Sequence, residues 1–234
     1  MQTIRLKREK RPYEINEELK LLRTNLLFCG ADKRVFLMTS AFAGEGKSTV
    51  TMDLCQSLAE LGKNVILIDA DMRKSMMKHK VIGQIPENGL SHYLSSQCPM
   101  DDVICQTDVE QLYMVIAGAV PPNPTELLAS ENMKRLVKFC REHFDYVVID
   151  CPPIGLVVDP AVIAPLTDGA MILIEANAVK YRLAQESVSK MKSTGCPILG
   201  VILNKVSEKK YGRYYSKYYG KRYYKQYYAH YEKQ

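Results

Sequence analysis

Five side chains in this sequence have the types and neighbours that phosphate chemistry asks for: Lys47, Ser48, Asp69, Asp71 and Asp150. The first two close the loop Ser40-Ala41-Phe42-Ala43-Gly44-Glu45-Gly46-Lys47-Ser48-Thr49. It lies between an apolar run, Val35 to Met38, and a stretch with helical spacing at Val50, Leu54, Leu58 and Leu61. A strand, a small-residue loop ending in Gly-Lys-Ser and a helix together cradle nucleotide phosphates. The glycines let backbone N–H groups approach anionic oxygens with no Cβ in the way. The new helix adds its positive end at the same spot. Ala43, Gly44, Glu45, Gly46, Lys47, Ser48 and Thr49 are therefore expected to bind a nucleotide, Lys47 reaching the β- and γ-phosphates and the Ser48 hydroxyl sitting on Mg²⁺. The usual pattern opens with Gly, and Ala41 stands there instead.

The three carboxylates follow apolar runs. Val65 to Ile68 leads into Asp69-Ala70-Asp71-Met72-Arg73, and Tyr146 to Ile149 leads into Asp150. Phosphoryl transfer needs positioning and charge neutralisation more than covalent help. Mg²⁺ prefers hydroxyl, carboxylate and water oxygens, which Ser48 and Asp150 could supply. Asp69 and Asp71, two apart on an extended segment, face the same way. One could assist the metal while the other accepts a proton from an attacking hydroxyl or orients a water. An Asp-x-Asp also occurs as a structural turn or a sugar-nucleotide metal site, and Arg73 has a plainer use as an ion-pair partner of these carboxylates. Asn204, closing the last apolar run, suits an adenine contact or a turn.

The elements that must position these groups are legible. Residues 14–29 place Ile15, Leu19, Leu22 and Leu26 on one stripe, an amphipathic helix whose polar side lines up Glu17, Lys20 and Arg23. A helix is expected from Lys47 to Leu61, stopped by Gly62, and a short one over Leu90 to Leu94. Another runs from a cap at Thr125 to about His143, and a fourth starts at Lys180. Strands are expected at Val35–Met38, Val65–Ile68, Leu112–Gly118, Tyr146–Asp150, Ala170–Glu175 and Ile198–Asn204. Strand and helix alternate, and the strands are apolar on both faces. That predicts an α/β fold: a doubly wound, mostly parallel sheet with helices on both faces. Ligands of such sheets bind beyond the carboxyl ends of the strands, where Lys47, Asp69, Asp71 and Asp150 all fall.

With 47% apolar and 25% charged residues the chain has an ordinary globular composition, and no run approaches the roughly 20 apolar residues of a membrane span. Seven scattered cysteines with no Cys-x-x-Cys pair suggest reduced thiols, several in the core, rather than a metal site. From Lys205 onward nine Lys and Arg face two Glu, so this end carries +7 of a chain total of +6. Ten of the fifteen tyrosines lie there: Tyr211, Tyr214, Tyr215, Tyr218, Tyr219, Tyr223, Tyr224, Tyr227, Tyr228 and Tyr231. With no aliphatic residue to form a core, residues 207–234 are expected to be disordered.

Val65 to Arg73, apolar residues followed by Asp-x-Asp-x-Arg, resembles the additional Walker A-prime motif of the bacterial tyrosine kinases, members of the deviant P-loop ATPases. The likeness spans nearly the whole chain. Ala41 to Ser48 is similar to the family's first Walker motif, Val147 to Asp150 to its Walker B, and the terminal tyrosines to its autophosphorylation tail. The resemblance implies ATP and Mg²⁺, with Lys47 on phosphate, Ser48, Asp71 and Asp150 serving the metal, and Asp69 as base toward the tyrosine hydroxyl. It implies three regions: residues 1–30 for oligomerisation, 31–206 as the P-loop kinase domain, and 207–234 as the tyrosine-rich tail, modified in trans within a ring. It further implies a cytoplasmic protein held peripherally at the inner face of the plasma membrane by a separate transmembrane activator of capsule or exopolysaccharide synthesis, with no nucleic acid among its partners. Glu17, Lys20 and Arg23 occupy the family's Glu-x-x-Arg-x-x-Arg oligomerisation motif, with a lysine that lacks the bidentate fork of arginine. Ser75 stands where relatives often carry Pro.

Two other classes share parts of this pattern. Septum-site and plasmid-partition ATPases resemble it in fold but carry a lysine early in the phosphate loop, where this chain has Phe42, and tend to end in an amphipathic helix. A nucleotide-sensing scaffold would bind ATP without turnover. A basic aromatic tail, taken by itself, could also bind nucleic acid or anionic lipid.

Overall fold

The computed structural model describes residues 2–7 and 11–206. The tyrosine-rich segment, with the disorder expected of it, lies outside the described residues. The strands are β1 (Thr3–Leu6), β2 (Val35–Ser40), β3 (Val65–Asp69), β4 (Val81–Ile82), β5 (Cys105–Thr107), β6 (Leu112–Val115), β7 (Tyr146–Asp150), β8 (Gly169–Glu175) and β9 (Ile198–Asn204). The helices are α1 (Tyr13–Leu27), α2 (Lys47–Ala59), α3 (Leu90–Leu94), α4 (Pro124–Leu128), α5 (Glu131–His143), α6 (Asp159–Ile163) and α7 (Tyr181–Lys192).

All the strands join one sheet in the order β4-β1-β5-β6-β3-β7-β2-β8-β9. From β6 to β9 every pairing is parallel, and the departures lie at one edge, where β5 meets β6 and β4 meets β1 antiparallel. The parallel core is as expected; the mixed edge was not. Residues 3–6 lead into the first helix by way of a strand, Thr3 opposite Gln106 and Ile4 opposite Thr107.

The period of two along each strand divides the interior into separate layers. Val35, Leu37, Ile66, Ile68, Val147 and Ile149 pack on one face with Leu136, Val137 and Ile163. Phe36, Met38, Val65, Leu67 and Val148 pack on the other with Leu26, Leu54 and Leu58 of α1 and α2. Every residue of β2 and β3 is buried, which explains why their sequences are apolar without alternation.

Several expected boundaries move for local reasons. The strand from Leu112 stops at Val115, because the next carbonyls, Ile116 and Ala117, accept the N–H groups of Leu90 and Ser91 that open α3. The helix expected from Thr125 to His143 is two helices. Ser130 is extended and its side chain accepts the Met133 N–H, starting α5 afresh. Thr125 is not the cap; Asn123 precedes Pro124 at that end. On α1, Leu19 and Leu26 are buried but Ile15 is 47% exposed, so the apolar stripe is covered at one end only. All seven cysteines are free, and Cys55, Cys105, Cys140, Cys151 and Cys196 are buried.

Candidate active site

β2 delivers the phosphate loop and α2 carries it away. Gly46 precedes α2 with φ 92°, and Gly44 has φ 86°, the left-handed region glycine reaches without a Cβ clash. Ala41 has no positive φ and is fully buried; a methyl group is therefore accommodated where the usual pattern has Gly. The Glu45 side chain does not face outward as a ligand. It is buried and staples the loop, Oε2 accepting the Phe42 N–H at 2.7 Å and Oε1 the Glu175 N–H at 2.9 Å. The Asn204 amide donates to the Glu45 carbonyl at 2.7 Å.

The predicted polar groups meet at the strand ends. Asp69 and Asp150 are register partners on adjacent strands β3 and β7, and both are fully buried. Lys47 Nζ lies 2.8 Å from Asp150 Oδ2, and the Ser48 hydroxyl donates to the same oxygen at 2.7 Å. Thr51 Oγ1 lies 3.1 Å from Asp150 Oδ1 and 2.9 Å from the Lys47 carbonyl, one proton between two acceptors. The Ser75 hydroxyl donates to Asp69 Oδ2, and Asp71, also buried, accepts the Lys74 N–H at 3.0 Å.

Three buried carboxylates thus face one buried ammonium. Burial first, and the Asp150 charge second, push the Asp69 carboxyl up to about 7 despite the Ser75 bond. Burial also raises Asp71, against the pull of Lys47. On Lys47 burial works downward, but Asp150, with Asp71 and Asp69 behind it, outweighs that and raises its proton affinity. Such an excess of buried negative charge suits a divalent cation. Among the described residues no three His, Cys, Asp or Glu side chains form a self-sufficient metal cage. The donors fit Mg²⁺, which binds through few protein oxygens and keeps waters and substrate phosphates as its other ligands.

Arg73 corrects an expectation. It does not pair with Asp69 or Asp71; its guanidinium grips Asp159 at 2.7 and 3.0 Å, and Thr125 joins by donating to Asp159 Oδ1 at 2.7 Å. The loop after β3 is thereby tied to α4 and α6. Sequence reasoning missed Asp159, Thr125, Thr51 and the Glu45 staple. Of these, only Thr51, one helical turn after Lys47, carried a local signal.

Over residues 33–194 the chain matches the AAA domain family. It is 42% identical over 194 residues to the tyrosine-protein kinase CpsD of Streptococcus agalactiae serotype Ia, a match covering 82% of this chain and 83% of that protein. It is 35% identical over 216 residues to the tyrosine-protein kinase CpsD of Streptococcus pneumoniae serotype 4, covering 91% and 95%. The solved kinase domain of the Escherichia coli tyrosine kinase ETK superposes with a TM-score of 0.76 at 27% identity, covering 82% of this chain and 77% of that one.

Proposed function

The chain belongs to the bacterial tyrosine-protein kinases of the P-loop ATPase class, and from that premise we propose that it transfers the γ-phosphate of ATP to tyrosine hydroxyls, chiefly those of its own C-terminal segment and in trans within a ring. The observation that carries the reading is the register pairing of Asp69 with Asp150. It sets a buried carboxylate that takes up and releases a proton near neutral pH beside the carboxylate that holds Lys47 and Ser48. Such a carboxylate suits a nucleophile that must lose its proton, and the similarity to tyrosine-protein kinases favours a tyrosine hydroxyl over water.

In this reading Lys47 and the amides of Ala43 to Thr49 hold the phosphates, Asn204, its Nδ2 given to the Glu45 carbonyl, has only Oδ1 left for the adenine, and Ser48, Asp71 and Asp150 hold Mg²⁺ directly or through water. When bound, Mg²⁺ neutralises charge on the β- and γ-oxygens. Asp69 accepts the phenolic proton as the tyrosine oxygen bonds to the γ-phosphorus and the bond to the β-phosphate oxygen breaks, releasing ADP. A base so placed is worth about 10²- to 10⁴-fold in rate.

Residues 1–30 serve oligomerisation, 31–206 catalysis, and 207–234 are the substrate segment. Lys20 holds Glu17 at 2.7 Å, while Arg23 turns inward to the Ser57 carbonyl of α2 at 2.7 Å. A ring contact through this helix must exchange or reuse those bonds. No described helix is long and apolar enough to cross a membrane. The reading assigns attachment at the inner face of the plasma membrane to a separate transmembrane activator of the polysaccharide co-polymerase type, and the pathway to capsular or exopolysaccharide synthesis, with no nucleic acid as partner.

The test is incubation with labelled ATP and Mg²⁺ followed by phosphotyrosine detection, on the full chain and on a truncation after Val206. Label on the full chain that vanishes in the truncation is expected. Consumption of ATP with no phosphotyrosine would instead indicate a positioning ATPase.

A further inference from the structure

A loop that turns its N–H groups toward phosphates must turn carbonyls the other way, and those carbonyls need donors of their own. Two successive carbonyls on the back of the phosphate loop find donors on two successive residues at the end of β9. Asn204 Nδ2 donates to the Glu45 carbonyl at 2.7 Å, and Lys205 Nζ donates to the Gly44 carbonyl at 2.7 Å. The same ammonium lies 2.7 Å from Glu175 Oε2, and the Glu175 N–H holds the Glu45 carboxylate. The ends of β8 and β9 therefore close a ring of bonds around the back of the loop.

Two backbone features show how closely the parts are fitted. A Cβ on Gly46, which has φ 92°, would run into the Asn204 amide, so the amide sits in space that glycine leaves open. Lys205 has φ 55°, uncommon for a residue other than glycine and worth explaining where it occurs. The explanation is the side chain, which this turn brings back over the loop instead of continuing along the strand.

We propose that Lys205 is a positioning residue of the phosphate loop: its ammonium, anchored by Glu175, holds the Gly44 carbonyl outward so that the loop amides stay aimed at a nucleotide. The inference rests on reading the loop as a nucleotide site. It makes the residue two places before the tyrosine-rich segment part of that site's support. A charge-assisted hydrogen bond of this kind is worth about a factor of ten in binding when well shielded. The Lys205 side chain is 48% exposed, so about fivefold is expected.

The test is binding of the fluorescent nucleotide MANT-ADP with Mg²⁺ by the full-length chain. Lys205→Met should raise Kd about fivefold, with the melting temperature of the nucleotide-free chain lowered by no more than about 2–4 °C. Lys205→Arg, which keeps the charge and the donors, should stay within about twofold of wild type. In peptide phosphorylation, KM for ATP should rise in Lys205→Met while kcat holds. Glu175→Gln, which leaves the ammonium unanchored, should shift Kd the same way by less. Equal Kd for Lys205→Met and wild type, or an arginine variant as weak as the methionine one, overturns the inference and leaves the kinase reading standing. A wild-type chain that binds MANT-ADP yet labels no tyrosine overturns the kinase reading and leaves Lys205 in its role.

Discussion

Asp69→Asn should make the nucleotide-free protein more stable at pH 8 while abolishing phosphorylation. The Asp69 carboxyl moves from an ordinary 3.8 in the unfolded chain to about 7 in the fold. Between those values the native state binds the extra proton, so stability falls as pH rises from about 4 to about 7, and the penalty is fully present above. Roughly three units at 1.36 kcal/mol each come to about 4 kcal/mol. Asparagine removes the charge and keeps the shape, and its amide oxygen can still accept from Ser75. Its NH₂ cannot accept the Asp71 N–H that now reaches Oδ1 at 3.3 Å, a loss of about 1 kcal/mol. The net gain of about 3 kcal/mol corresponds to about 6–12 °C for a chain of this size. At pH 4.5 the charge penalty shrinks to about 1 kcal/mol and the lost hydrogen bond cancels it. Thermal unfolding followed by circular dichroism at both pH values, without nucleotide or Mg²⁺, measures this directly. Equal melting temperatures at pH 8, or a gain that does not change with pH, would refute the claim that Asp69 is a strained buried charge.

Arg73→Ala should cost about 2 kcal/mol in urea unfolding at pH 7, below the figure for a fully buried pair because the Arg73 side chain is 39% exposed. Although burial pushes the Asp159 carboxyl upward, Arg73 and Thr125 outweigh it and hold the proton affinity below the ordinary value. The loss should therefore shrink as pH falls below about 4. Lys47→Met leaves Asp150 fully buried with only hydroxyl partners, and should cost about 3 kcal/mol in the same assay besides abolishing MANT-ADP binding. Four phosphotyrosines, each adding about −1.5 to −2, would cancel the +6 of residues 207–234. Light scattering before and after ATP should then show the mass of the proposed ring fall, and an unchanged mass with heavy phosphorylation would reject that mechanism.

What could be read from the residues alone follows from how local the signals are. The phosphate loop announces itself because glycine spacing, Lys47 and the start of α2 are contiguous. Asp69, Asp71 and Asp150 do so because a buried parallel strand is a continuous apolar run whose first polar residue marks its carboxyl end. Arg73 gave no such lead to its partner: Asp159 lies 86 residues away, so only the folded sheet brings α6 to the loop after β3. The break at Ser130 was hidden because Leu127, Leu128 and Met133 preserve an apolar helical rhythm across it, while a single side-chain cap decides the boundary. The strand at Thr3–Leu6 is four residues long, too short for its alternation to stand out, and its neighbours come from far along the chain. Glu45 looked like a loop ligand because sequence shows that a carboxylate is present but not which way it turns.

That first strand has a consequence for synthesis. β1 is seated between β4 and β5, so its slot is not complete until Cys105–Thr107 has been made. At about 5–20 residues per second, Ile4 and Leu6 must wait about 5–20 s after emerging before they have anywhere to be buried. Until then the unpaired rim of the half-built sheet is open to strands of other nascent chains.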